Sequence, residues 1–262
     1  MEDPLDAGRG GETAVRIGDT VRRTTGPWME TVHAFLEHLR EHGFDRVPEV
    51  LGVDERGREI LTFIEGEVLA DPAWRPGDPG LWPTWARTDE SLVEVARLLS
   101  RLHCAAASFT PRQPVWRSYA WPELLPGEIV CHGDIGRHNT VYRDGRPWGF
   151  IDWDSIRPNQ PILEFATAAW NFVPLGDDHY FSRSSFGARP DLPQRLALFA
   201  QEYDALTRSQ VRWALQEVIQ RAPEAMRYWP QLIPLDAAAY FDLVSQLLRW
   251  LDRSLDWLVS EI

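Results

Sequence analysis

The segment Cys131-His132-Gly133-Asp134-Ile135-Gly136-Arg137-His138-Asn139 sets an aspartate and an asparagine five positions apart on a loop. Residues 140–142 then read as a strand. Arg143-Asp144-Gly145-Arg146 supplies a hairpin turn, for which Asp-Gly is a strong signal, and residues 148–151 return as the partner strand. Asp152-Trp153-Asp154 follows. A hairpin brings its open ends together, so Asn139 and Asp152 are expected side by side, with Asp134 a few residues away on the same loop. Two hard oxygen ligands with positions left for water describe a Mg²⁺ site completed by substrate phosphates. A third, non-ligating carboxylate can accept or orient a hydroxyl proton. Metal, positioning and an aspartate are the parts of a phosphoryl-transfer site. Singly, each aspartate is a common turn former. The two motifs together, one hairpin apart, point to a site.

The elements that must hold this loop can be read on either side of it. Residues 12–17 and 20–24 look like strands joined by a tight Gly18-Asp19 turn. Pro27 opens a helix whose Val32, Phe35, Leu36 and Leu39 recur at helical spacing until Gly43. Residues 47–53 and 59–64 are strand-like again. A linker dense in Pro, Gly and Trp spans 67–88. Asp89 then caps a helix with Leu92, Val95, Leu98, Leu99 and Leu102 on one face. Beyond Pro161 the chain reads as helices near 163–172, 192–206, 208–220 and 236–262. The fold class is therefore α+β: a small β-rich lobe with one helix, residues 1–67, and a larger, mostly helical lobe, residues 68–262, with a ligand cleft between them.

Composition narrows the partners. The chain has 262 residues and a formal net charge of −12, and all 27 basic residues are Arg. No nucleic acid and no membrane surface is expected as a partner, because both require a basic face. A cationic small molecule fits the charge. The acidic, glycine-rich start has no apolar segment of a secretory signal, and a cytoplasmic location is expected. Cys104 and Cys131 lie 27 positions apart, form no zinc pattern, and read as reduced thiols packed in apolar surroundings. Oligomeric state is not legible.

His132-Gly133-Asp134 with Asn139, followed by Ile151-Asp152-Trp153-Asp154, resembles the aminoglycoside phosphotransferase family, which has a protein-kinase-like fold. Leu98-Leu99-Ser100-Arg101-Leu102-His103 is similar to the helix that precedes that family's catalytic loop. Phe63-Ile64-Glu65-Gly66 is similar to its interlobe hinge. The resemblance covers about residues 8–175. It implies that Asp134 is the catalytic carboxylate, that Asn139 and Asp152 bind Mg²⁺, and that His132 holds the loop by hydrogen bonds. Asp154 is implied to be supporting and not a ligand. ATP or GTP is the implied phosphoryl donor, with Glu65 at the hinge and Gly10 and Gly11 beside the phosphates. The acceptor is a small-molecule hydroxyl, an aminoglycoside or another cationic metabolite.

The pattern departs from the family in three places. The third strand usually carries a Lys that grips the phosphates and pairs with a helix Glu. Here Arg22 and Arg23 stand instead; alternation lets one of them face the cleft, and Arg22 is taken as that one; Glu30 or Glu37 on the next helix could pair with it, although a solvated helix face is the commoner role for such charges. The N-lobe is short, with only the Gly8–Gly11 stretch ahead of a single strand. Glu164-Phe165-Ala166 replaces a customary Asp-Leu-Ala. A catalytically degenerate member, binding nucleotide or a partner in an immunity or self-protection role, is the alternative. A helical scaffold protein would leave both motifs coincidental.

Overall fold

The computed structural model describes residues 2–5, 14–24, 26–70, 79–80, 82–117, 123–186 and 188–226, with a few positions beyond 241. In chain order the elements are β1 (Asp3–Pro4), β2 (Ala14–Ile17), β3 (Thr20–Arg23), α1 (Met29–Glu41), β4 (Val50–Val53), β5 (Glu59–Thr62) and β6 (Glu67–Val68). They continue as α2 (Asp89–Ala106), β7 (Ile129–Cys131), β8 (Thr140–Arg143), β9 (Arg146–Phe150) and β10 (Arg157–Asn159). The helices α3 (Pro161–Phe172), α4 (Asp178–Ser182), α5 (Leu192–Asp204) and α6 (Arg208–Met226) follow.

β1 to β5 form one antiparallel sheet in the order β1-β2-β3-β5-β4. The first strand, Asp3–Pro4, was not legible from sequence: two residues carry no periodicity, and pairing with Arg16 and Val15 alone creates it. Helix α1 buries Val32, Phe35, Leu36 and Leu39, the stripe its spacing dictates. The expected lobe boundary at 67/68 falls inside β6, which pairs with β8 and so ties the linker to the β8–β9 hairpin.

The larger lobe is helical around that hairpin. Thr88, not Asp89, caps α2: its hydroxyl accepts from Ser91 N at 3.1 Å. Asp89 is the first helical residue and pairs with Arg195 of α5. Buried α2 side chains pack with those of α3 and α5 in one apolar core that also includes Phe35 and Leu36 of α1. Trp153 joins the two lobes in this core. Its ring meets Phe35 edge-on at 5.9 Å and His132 at 4.4 Å, and its Nε1 donates to Phe150 O at 3.1 Å. The expected helix at 236–262 lies almost wholly outside the described residues. Cys131 is buried but Cys104 is exposed, because it falls on the outer face of α2. Among the described residues no helix is long and apolar enough to cross a membrane.

Candidate active site

The β8–β9 hairpin turns through Asp144 and Gly145, both at positive φ, as its Asp-Gly sequence favours. Pairing of Thr140 with Phe150 brings its open ends together, and Ile151 N donates to Asn139 O at 2.9 Å. Asp152 is thereby set beside Asn139. Asn139 in turn reaches back to Asp134: its Nδ2 donates to Asp134 O at 2.9 Å and to Asp134 Oδ2 at 3.0 Å. The structure thus gathers Asp134, Asn139 and Asp152 at one end of the hairpin.

Each of the three is held differently. Asp134 is open to the cleft, and His138 Nε2 lies 3.3 Å from its Oδ2. Partial desolvation acts to raise the Asp134 carboxyl, but His138, His132 and the Asn139 amide outweigh it and hold it well below the usual carboxylate range. It is therefore ionised at neutral pH. Asp152 adopts a left-handed backbone, φ 62° and ψ 66°, which a non-glycine residue tolerates only where the surroundings impose it. Asn139 spends its amide nitrogen on Asp134, leaving its amide oxygen as the donor atom for a cation. A carboxylate and an amide oxygen are the hard donor set that Mg²⁺ takes when water and phosphate complete the shell. The residues present fit such an ion.

Beneath the loop lies a brace. Glu164 of α3 accepts from Gly133 N at 2.7 Å, His132 N at 3.1 Å and His103 Nε2 at 2.9 Å. His103 Nδ1 lies 2.6 Å from the Tyr203 hydroxyl. The extra methylene of Glu over Asp is accommodated, since both loop N–H groups are reached. Gly133 has φ +84°, and a Cβ there would fall on the Ser155 carbonyl oxygen, so only glycine fits. His132 is fully buried; its Nε2 donates to Ile151 O at 3.0 Å and its Nδ1 lies 3.4 Å from Asp134 N. Burial lowers its pKa, and the ring acts as a spacer between the two motifs.

Arg23, and not Arg22, is the arginine of β3 that reaches the Asp152 loop. The Arg22 guanidinium bonds Thr20 Oγ1 on its own strand. Arg23, on the opposite face, pairs with Glu59, donates to Asp152 Oδ1 at 2.9 Å and to Asp154 Oδ1 at 2.6 Å. Register explains the choice: Arg23 and Glu59 are directly opposed on β3 and β5. Glu59 is the carboxylate that pairs with Arg23, while Glu30 and Glu37 are exposed on the helix face. Helix α1 contributes His33 instead, whose Nε2 is 2.8 Å from Glu59 Oε2. Asp154 is buried, and its second oxygen accepts from Arg117 Nη1 at 3.0 Å. Burial, with Asp152 and Glu59 nearby, pushes the Asp154 carboxyl up to about 6 against the pull of Arg23 and Arg117.

The other expected residues lie apart from this cluster. Glu65 is exposed at the hinge, where it pairs with Arg16 and its carbonyl accepts from Arg143 Nε at 2.8 Å. Gly10 and Gly11 lie outside the described residues. Glu59 and Arg117 were missed in sequence, and Arg23 was set second to Arg22. Alternation narrowed the choice to two arginines, but only cross-strand register selects one, and nothing in the local sequence marks Glu59 or Arg117.

A sequence model of the phosphotransferase enzyme family matches residues 108–199. The trifolitoxin immunity protein of Rhizobium leguminosarum bv. trifolii is 35% identical over 238 residues, covering 86% of each chain. An amicoumacin kinase solved with AMP-PNP and Ca²⁺ superposes with a TM-score of 0.64 at 11% identity, over 97% of this chain and 88% of its own. A macrolide 2'-phosphotransferase from Brachybacterium faecium gives 0.58 at 14% identity, over 94% and 92%. The chain belongs to the aminoglycoside phosphotransferase family of phosphotransferase enzymes and has its two-lobed, protein-kinase-like fold.

Proposed function

We propose that this chain moves the γ-phosphoryl group of ATP or GTP to a hydroxyl of a small molecule. The observation that carries the reading is the convergence of an ionised Asp134 with Asn139 and Asp152 at the open end of the β8–β9 hairpin. Asp134 accepts the acceptor's hydroxyl proton as the new O–P bond forms; the bond from the γ-phosphorus to the β–γ bridging oxygen breaks and the nucleoside diphosphate leaves. Asn139 Oδ1 and the Asp152 carboxylate would hold Mg²⁺, which when bound neutralises charge on the phosphates. Arg23 supplies the N-lobe cation in place of Lys; its fork suits phosphate oxygens and it stays charged at every relevant pH. Glu164 and His132 keep the loop rigid, so that Asp134 meets the hydroxyl without reorganisation. Net charge of −12 favours a cationic acceptor, an aminoglycoside-like or other hydroxylated amine.

The relative that is 35% identical and named for trifolitoxin immunity supports a second reading, in which the same site protects its cell by binding or modifying a toxic peptide or small molecule. A thermal-shift scan with Mg²⁺ plus AMP-PNP, then Mg²⁺ plus a GTP analogue, tests the nucleotide claim. Nucleotide at about 100 times its Kd adds roughly 2.7 kcal/mol of stability. No shift with either nucleotide removes the phosphotransferase reading and leaves partner binding.

A further inference from the structure

Arg23 spans the cleft on three carboxylates that are unequally accessible. Glu59 and Asp154 are 1% and 2% exposed, whereas the Asp152 side chain is 51% exposed. Glu59 is fixed from behind by His33 of α1, and Asp154 by Arg117. The guanidinium is therefore anchored at its Nε and Nη2 ends on buried carboxylates, while its Nη1 bonds the exposed Asp152 Oδ1 at 2.9 Å. That contact lies on the carboxylate assigned above to the metal.

We propose that Arg23 is an internal counter-ion for Asp152 that couples metal entry to nucleotide entry. It rests on the phosphotransferase reading. A divalent ion arriving alone must displace a tethered cation from Asp152 and offers the guanidinium nothing in exchange. A metal-bound nucleotide offers Nη1 a phosphate oxygen as it takes Asp152, so one anion replaces another and no charge is left unpaired. Arginine is the residue that can make this exchange. Its forked donors let Nη1 change partner while Nε and Nη2 stay on Glu59 and Asp154, which one lysine ammonium cannot do with the same geometry. The lobes are linked through this contact as well, since Arg23 belongs to β3 and Asp152 to the loop after β9.

The test separates the two cations. Mn²⁺ alone is titrated against the full-length protein by the electron-spin signal of the free ion, and Mg²⁺ with AMP-PNP by calorimetry. Both are measured in the parent chain, Arg23→Gln and Arg23→Lys. Arg23→Gln is expected to bind Mn²⁺ alone up to about fivefold tighter, the strength of a half-exposed ion pair. The same variant is expected to bind Mg²⁺–AMP-PNP about tenfold weaker, the loss of one charged hydrogen bond. Arg23→Lys keeps a charge for the buried Glu59 and moves both affinities in the same directions by less. It decides the matter if circular dichroism shows Arg23→Gln to be unfolded. Mn²⁺ affinity unchanged or weakened in the folded variants overturns the proposal while the phosphotransferase reading stands. A parent chain that takes up no Mg²⁺–AMP-PNP removes that reading and this proposal with it.

Discussion

Replacing Glu164 by Gln removes the charge that braces the His132–Asp134 loop while keeping the side chain's size. Glu164 is 3% exposed and accepts three hydrogen bonds, from His132 N, Gly133 N and His103 Nε2. Burial alone would push its carboxyl up; the His103 hydrogen bond, the nearby His132 and the Gly133 N–H bring it from the ordinary 4.5 down to about 2. A carboxylate whose folded pKa lies below its unfolded one stabilises the fold fully above the unfolded value, and the stabilisation fades as pH falls toward the folded one. The gap between 4.5 and about 2 corresponds to about 3 kcal/mol at neutral pH. A glutamine also turns an amide N–H toward donors that need acceptors, and breaking a buried charged contact in this way costs roughly 3–5 kcal/mol. Both routes agree on size. Urea unfolding at pH 7 should therefore shift the midpoint of Glu164→Gln down by about 1 M. Repeating the pair at pH 5, 4 and 3 should show the difference shrinking as Glu164 becomes protonated in the unfolded chain while it stays ionised in the fold. Equal midpoints at pH 7, or a difference that stays constant down to pH 3, would refute the brace.

Gly133→Ala places a Cβ on the Ser155 carbonyl oxygen at a backbone φ of +84°; it should cost about 3 kcal/mol or more in urea unfolding, and a neutral result would mean that the loop is free to shift. Trp153→Ala empties the contact between Phe35 and His132; a loss of about 3–5 kcal/mol is expected, with faster hydrogen exchange in α1 as the distinguishing signal. If exchange in α1 is unchanged, Trp153 does not join the lobes. Asp152→Asn should weaken Mg²⁺–AMP-PNP binding at least about tenfold by calorimetry while leaving the unfolding free energy from urea titration within about 1 kcal/mol of the parent. Undiminished binding would place the metal elsewhere.

Much of the fold could be read before any coordinates, because periodicity is a local property. The stripe of Val32, Phe35, Leu36 and Leu39, the Asp144-Gly145 turn and the helices beyond Pro161 each state their own conformation. The convergence of Asp134, Asn139 and Asp152 was legible for the same reason: one hairpin separates the motifs. What sequence left open depends on contacts between distant residues. Arg23 and Glu59 are 36 positions apart and meet through the β3–β5 register, while Arg117 and Asp154 are 37 apart. Two-residue strands such as Asp3–Pro4 exist only through their partner. The cap of α2 moved by one residue because Thr88 and Asp89 can both cap, and Arg195 on a distant helix claims Asp89.

The central claim is that Asp134 serves phosphoryl transfer. It is tested most directly by incubating the parent chain and Asp134→Asn with γ-labelled ATP or GTP, Mg²⁺ and a panel of hydroxylated amines. Labelled acceptor should form with the parent, and its rate should fall by about 10²–10⁴ in the variant, with AMP-PNP affinity nearly retained. Equal rates in the two proteins, or no labelled product from the parent with any acceptor, contradicts the account.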